Sequence, residues 1–292
     1  MREARARLML ILSTFIFGTV GLIVNYIDLP SSIISAGRGF IGMLSLIVII
    51  ILKKKKISFK NIRKNFKNLF LSGLFIGINW IFIFEAYKYS SVATATLILY
   101  LAPIFMILAS PFVLKEKLSI RKIICSFIAL LGMIFISGFL DSKGVSRNEI
   151  RGIILALFAA IFYACVIFFN KSLKRISSFD MTIVQLGVAA LVSFPYALIV
   201  DNLSELEFNF KSVILLIYIG VINTGITYAM YFNSVRHLKA QTVAIFSYVD
   251  PVVAVILSAL ILKEEVTVFT IIGAILILGS TLVSELLDKS EL

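Results

Sequence analysis

Asp250 stands ten residues into the apolar stretch 240–262, in "TVAIFSYVDPVVAVILSALIL". At ~1.5 Å per helical residue that is about 15 Å from either end, close to the middle of a hydrocarbon layer ~30 Å thick. A carboxylate there costs about 2.5–3.5 kcal/mol on insertion scales, so it must face protein or water and have a partner. Two chemistries suit it: holding a cation or amine, and taking up and releasing a proton. Ser247, Ala254 and Ser258 share its helical face. Pro251 removes the next backbone donor and frees a carbonyl of the preceding turn. The plain alternative is a structural Asp hydrogen-bonded to a neighbouring helix. Arg38 is the second ionisable residue at depth, seven residues into the stretch 32–52, with Ser31, Ser35, Gly42 and Ser45 on its face. A guanidinium in that place suits a carboxylate, either of a ligand or of Asp250, or a structural ion pair.

Other polar groups are less individually diagnostic. Glu85 has Lys88 three residues on, the spacing of an intrahelical ion pair; a proton or cation site is the alternative. Thr224, Tyr228 and Tyr231 recur at i, i+4, i+7, while Asn79 and Trp80 are neighbours in an earlier stretch. Tyr100 and Tyr248 each precede a proline, Pro103 and Pro251, by three residues. Such groups suit a cavity that stacks and hydrogen-bonds a small organic molecule, or else a core with satisfied hydroxyls. Gly73 and Gly77 make a G-x-x-x-G that reads as helix packing, and the lone His237 reads as a solvated end.

The elements that must position these residues are apolar helices. Mean hydropathy is +1.03, and 60% of residues are hydrophobic against 15% charged, far from a soluble domain. Ten stretches of about 20 apolar residues follow one another, at 7–27, 32–52, 68–88, 92–114, 119–140, 151–171, 180–200, 212–234, 240–262 and 267–286. The fold expected is an all-α integral membrane bundle of ten transmembrane helices, because lipid offers the backbone no other partners. Arg2, Arg5 and Arg7 precede the first stretch without a small-residue cleavage site, so it reads as an uncleaved helix. Cys125 and Cys165 fall inside spans and behave as small apolar residues.

Ten spans place both ends of the chain on one side, and the basic residues say which. One set of alternate connections, including "KKKKISFKNIRKNFK", holds 21 Lys and Arg; the other holds six. Positive loops stay inside, so both termini are expected in the cytoplasm and the protein in the cell membrane. The net charge of +12 then reflects topology and contact with the bilayer, not nucleic acid.

The chain also repeats itself. "TATLILYLAPIFMILASPFVLKEKLS" and "TVAIFSYVDPVVAVILSALILKEEVT" align with Pro103 and Pro251 standing 148 positions apart. Thr94 matches Thr242, Tyr100 matches Tyr248, Lys115 matches Lys263 and Glu116 matches Glu264. Five spans per copy is an odd number, so the second copy enters the membrane upside down. Its "DNLSELEFNFK" loop is acidic where the first copy's counterpart is basic. Two inverted-topology repeats are expected, 1–142 and 148–288, with a site where they meet.

These paired segments, and the glycine-containing "FIALLGMIFISG" and "IIGAILILGS" that follow them, resemble the EamA-type family of the drug/metabolite transporter superfamily. "FIFGTVGLIVNY" and "AIFYACVIFFNK" resemble its first helix in each half, with Asn25 and Asn170 in matching places. Where that family usually shows Trp-Gly, this chain has Phe17-Gly18. The resemblance implies a central cavity lined by the first four helices of each half and a secondary transporter of small metabolites. An arginine in the second helix also resembles the family pattern.

The function expected is alternating-access transport of a small polar or aromatic metabolite, such as an amino acid or similar zwitterion. Asp250 and Arg38 serve binding or coupling, protons are the candidate coupling ion, and Pro103 and Pro251 act as hinges. Export of organic cations, a non-coupled pore and a membrane scaffold are the alternatives. An enzyme is not expected: with one histidine no H-E-x-x-H zinc site exists, a second deep Asp is lacking, and no phosphate-binding loop or cofactor motif is present. The topology has a direct test. A reporter active only outside the membrane stays silent when fused after Leu292 and becomes active in the 201–211 loop; the reverse pattern would overturn the orientation.

Overall fold

The computed structural model describes residues 2–90, 92–117, 119–136, 147–201, 209–262 and 267–289. Lys263 and Glu264 of the second motif copy, most of the 201–211 loop and the junction near 143–146 lie outside these residues, as do the side chains of Thr94 and Ser258.

The described residues fold almost entirely as helix. The first half contains α1 (Arg2–Gly18), α2 (Val20–Val24), α3 (Ser31–Leu52), α4 (Phe59–Tyr89), α5 (Val92–Leu99), α6 (Ala102–Leu114) and α7 (Ile120–Ile136). The second contains α8 (Arg147–Ser172), α9 (Ser178–Val200), α10 (Phe210–Tyr218), α11 (Thr227–Val235), α12 (Ala240–Phe246), α13 (Val249–Leu257) and α14 (Val268–Lys289). A π-helical segment, Ile219–Ile226, joins α10 to α11, and another, Ser258–Leu262, extends α13.

Local chemistry explains the starts and breaks. Ser177 caps α9 by accepting from the Asp180 amide at 3.0 Å, and Asn209 caps α10 by accepting from the Ser212 amide at 2.7 Å. Pro103 and Pro251 each sit in the first turn of the second piece of a broken helix, α6 and α13. There the missing N–H is one the helix would leave unused, whereas in a continuous helix the ring would clash with the preceding turn. The stretches 92–114 and 240–262, expected as spans, are therefore interrupted, near Tyr100–Leu101 and Ser247–Tyr248.

Seven helical segments among the described residues are long and apolar enough to cross a membrane: Glu3–Val24, Ser31–Leu52, Phe59–Tyr89, Glu149–Ser172, Ser178–Val200, Phe210–Val235 and Ala240–Ile261. The other three expected stretches form α5 with α6, α7 and α14, whose described apolar helices, such as Ala102–Leu114 and Ile271–Ser284, are shorter. Large apolar side chains such as Phe112, Ile199 and Phe210 stand exposed on the outside. Cys125 and Cys165 are free thiols.

Exchanging the two halves of the chain maps the main helix pairings onto one another. α4 packs on α8 as α1 packs on α11, and α4 packs on α9 as α3 packs on the first π segment. α5 and α6 meet α8 as α12 and α13 meet α1; α3 meets α9, the α5–α6 pair meets the α12–α13 pair, and α7 meets α14. Glycine permits the closest of these approaches. A Cβ on Gly73 of α4 would fall 2.8 Å from the Gln185 carbonyl oxygen and from Val188 Cβ of α9, and one on Gly77 would fall 2.9 Å from Val192 Cβ. The glycine pair is thus a packing face, as its spacing suggests.

Gly73→Ala forces α4 off α9 and is expected to destabilise the fold by about 1–3 kcal/mol. Gly279→Ala meets nothing within 4 Å and is expected to be neutral or slightly stabilising. Midpoints of thermal unfolding in detergent compare the two; equal midpoints would contradict the close α4–α9 contact.

Candidate functional site

A cavity of about 550 Å³ lies between the halves, walled by residues of α1 to α4, the α5–α6 break, α8, α11 and the α12–α13 break. It reaches the surface beside Asn25 and Ser31, both exposed. That end of the bundle carries the 25–30 turn, where the Asp28 amide donates to Ser212 Oγ at 3.0 Å.

Asp250 lies on the cavity wall at the start of α13. Its Oδ1 accepts a hydrogen bond from the Tyr100 hydroxyl at 2.7 Å, so the carboxylate of one broken helix is held by the other. The Tyr248 hydroxyl donates to the Tyr100 carbonyl oxygen at 3.1 Å, and the two rings stack with centroids 6.1 Å apart. Each break thereby supplies the partner that the other lacks. A Cβ on Gly18 would fall 2.6 Å from the Asp250 carbonyl oxygen, so only glycine lets α1 lie this close to the α13 turn.

Arg38 lies on another part of the wall. Its guanidinium carbon sits 4.3 Å from the Trp80 ring centroid, a cation–π contact, and its Nε is buried without a partner. Among the described residues Arg38 and Asp250 form no ion pair. The direct pairing considered from sequence is therefore absent here, and both charged groups face the same space from different elements.

Aromatic rings complete the lining. Tyr163 and Tyr231 share a hydrogen bond of 2.8 Å between hydroxyls, Phe17 packs edge-on against Tyr228 at 5.2 Å, and Trp80 meets Tyr228 edge-on at 6.4 Å. Asn79 also borders the cavity, but its amide donates to the Ala159 carbonyl oxygen at 2.8 Å and ties α4 to α8.

Of the residues given a binding, coupling or hinge role from sequence, Arg38, Asn79, Trp80, Tyr100, Pro103, Tyr228, Tyr231 and Asp250 line this cavity. Four do not. Thr224 is buried in the π segment, whose i→i+5 bonding breaks the α-register that would align it with Tyr228 and Tyr231. Tyr248 is wholly buried beneath Tyr100, and Pro251 is buried behind Asp250. Glu85 pairs with Lys88 at 2.6 Å and accepts from the Tyr196 hydroxyl, facing α9 instead of the cavity. Conversely, Tyr87 and Tyr163 line the cavity without having been singled out. The repeat was the available signal for Tyr163, since with Asn25 matched to Asn170 it aligns with Gly18, next to Phe17. Among the described residues no cluster of His, Cys, Asp or Glu could hold a metal ion.

The opposite end is sealed. Glu116 Oε1 accepts from Lys171 Nζ at 2.9 Å, and both carboxylate oxygens accept from the Ala240 amide at 3.1 Å. Lys171 also donates to the Leu238 carbonyl oxygen at 2.5 Å. Nearby, Lys122 donates to Thr242 Oγ1 at 2.8 Å and Gln241 Nε2 to the Lys117 carbonyl oxygen at 2.9 Å. These bonds join the connection after α6, α7, the end of α8 and the start of α12.

A bundle of apolar helices around an aromatic-lined cavity that carries a carboxyl and a guanidinium group, open at one end and sealed at the other, has the architecture of a multi-pass membrane transporter. The sequence profile of the EamA-like transporter family matches residues 4–138 and again 150–285, and the chain belongs to that family. The uncharacterized transporter YxxF of Bacillus subtilis is 26% identical over 276 residues, covering 94% of this chain and 88% of its own. Solute carrier family 35 member G1 of Mus musculus is 26% identical over 281 residues, covering 93% of this chain and 75% of its own. A crystal structure of a protein 17% identical in sequence superposes with a TM-score of 0.88 over 99% of this chain and 100% of that one, which shows the fold. The family and the two sequence relatives are transporters and not enzymes.

Trp80 is the single tryptophan of the chain, and it carries the Arg38 contact. Arg38→Gln is expected to shift the Trp80 emission maximum in detergent, and Lys64→Gln, an exposed substitution on the same helix as Trp80, is not. Identical spectra for Arg38→Gln and the parent would separate the guanidinium from the indole.

Proposed function

We propose that this protein is a secondary transporter that moves a small zwitterionic metabolite, such as an amino acid, across the cell membrane by alternating access. The observation that carries this reading is the pair of opposite charges that share one cavity without pairing with each other. A substrate with both a carboxylate and an ammonium group satisfies Arg38 and Asp250 together. The aromatic walls stack its body, and the volume admits a small organic molecule. The inhibitory cost of leaving a charge unpaired in a closed cavity makes binding and closure mutually dependent.

The architecture proposed is ten spans in two inverted repeats, 1–142 and 148–288, with both termini cytoplasmic. The twofold matching of the family profile, the exchange symmetry of the packing and the 21-to-six split of basic residues support it. On that orientation the sealed end is cytoplasmic and the cavity faces outward. The breaks at Pro103 and Pro251 serve as the hinges, and Asp250 is the site of proton coupling. Export of organic cations is the nearest alternative, favoured by the carboxylate and the ring of tyrosines; Arg38 would then be structural. A seal of several interlocked bonds speaks against an always-open pore.

Asp250→Asn is expected to abolish concentrative uptake in proteoliposomes while the protein still folds and inserts. Full uptake with unchanged pH dependence would reduce Asp250 to a structural residue. Loss of uptake with retained metabolite binding assigns it to coupling. Arg38→Gln removes charge-assisted hydrogen bonds of about 1.5–3 kcal/mol, so zwitterion binding is expected to weaken roughly 10- to 100-fold. Normal binding by Arg38→Gln together with loss in Asp250→Asn would favour the organic cation.

A further inference from the structure

The open cavity has a collapsed counterpart in the other half. Asn25 and Arg38 line the cavity near its open end. Their partners in the repeat alignment are Asn170 and Gln185, which lie toward the sealed end and are fully buried. There the two amides close on each other and on Ser72 of α4. Gln185 Nε2 donates to Ser72 Oγ at 2.9 Å and to Asn170 Oδ1 at 3.0 Å, and Asn170 Nδ2 donates to Ser72 Oγ at 3.2 Å.

The cluster does not satisfy itself. Gln185 Oε1 and, one turn earlier on α9, Thr182 Oγ1 are buried without hydrogen-bond partners. Buried polar atoms without partners are rare in native proteins, and each calls for an explanation. A permanent core gains nothing from spare acceptors, whereas a wall that is wetted in another state keeps them for use there. Lys171, which pairs with Glu116 in the seal already described, is the residue next to Asn170.

We propose that Asn170, Gln185 and Ser72 form a second polar subsite, collapsed in this state, that opens to the cytoplasm when the Glu116–Lys171 seal parts. This inference rests on the reading of two repeats that exchange conformations. The subsite takes the polar head of the transported solute, carboxylate or ammonium, through neutral amide and hydroxyl hydrogen bonds. Arg38 has a neutral counterpart in Gln185, so the two faces differ in chemistry. A carboxylate is held by charge on the open side and released from an uncharged wall on the other.

Thiol accessibility tests this without knowledge of the substrate. In a background with Cys125 and Cys165 changed to Ser, Asn25→Cys, Asn170→Cys and Gln185→Cys are probed in oriented vesicles. The probes are membrane-impermeant methanethiosulfonates, one bearing a sulfonate and one a trimethylammonium group. Adding Glu116→Gln, or independently Lys171→Gln, is expected to raise cytoplasmic labelling at 170 and 185 several-fold and to lower external labelling of Asn25→Cys. Anionic and cationic probes should react at similar rates at 170 and 185, whereas the anionic probe should be preferred at 25 for as long as Arg38 is present. Labelling that falls at 25 while both cytoplasmic positions stay unreactive would leave alternating access standing and refute the subsite. No change at any position, in variants that remain monodisperse, would refute both the exchange of conformations and the subsite. A strong charge preference at 170 and 185 would refute the neutral chemistry assigned to it.

Discussion

Two helices that cannot pass straight through the bundle meet at its centre, and the rest of the site is arranged around their meeting. Proline denies each a continuous hydrogen-bond ladder, and a lipid environment offers no replacement partner for backbone groups left free. The breaks must therefore be enclosed by protein or face an internal cavity. Here the break in one helix satisfies the break in the other: Tyr248 donates to the carbonyl oxygen of Tyr100, and Tyr100 donates to the carboxylate of Asp250. Asp250 is thus placed by a mutual constraint between the halves. Gly18 then allows α1 to close against the same turn.

The features shared by both halves and those found in only one do different work. Prolines and tyrosines recur at the repeat offset and build the crossing. Asp250 faces Ala102 in the repeat alignment, and Arg38 faces Gln185, so the charges belong to one copy each. Architecture is duplicated while charge is not. This lets a symmetric frame carry an asymmetric cavity, with a carboxylate on one wall and a guanidinium stacked on Trp80 on another.

The sealed end follows the same logic with different groups. Glu116 is bound by Lys171 and caps the start of α12 through the Ala240 amide, so one carboxylate meets both a cation and a helix N-terminus. Such a cluster is strong when dry and weakens once water enters. The outer faces of α6, α9 and α10, by contrast, carry exposed Phe and Ile side chains with no polar partners to find.

The apolar stretches, the repeat and the two proline breaks were all legible in the chain, because each depends on composition, spacing or self-similarity. The glycine packing face and the Glu85–Lys88 pair were legible for the same reason, being local in sequence. Tertiary structure alone decided which polar groups share a space. Arg38 lies on Trp80 and not on Asp250, Tyr163 joins Tyr231, and Tyr248 turns beneath Tyr100 instead of into the cavity. Thr224 leaves the face of Tyr228 because a π segment intervenes, and nothing in the apolar pattern of 212–234 marks where that extra winding falls. Helical periodicity fixes which residues share a face of one helix. The rotation of that helix against its neighbours is set by the packing of side chains contributed from the other half of the chain, and that rotation determines which face meets the cavity.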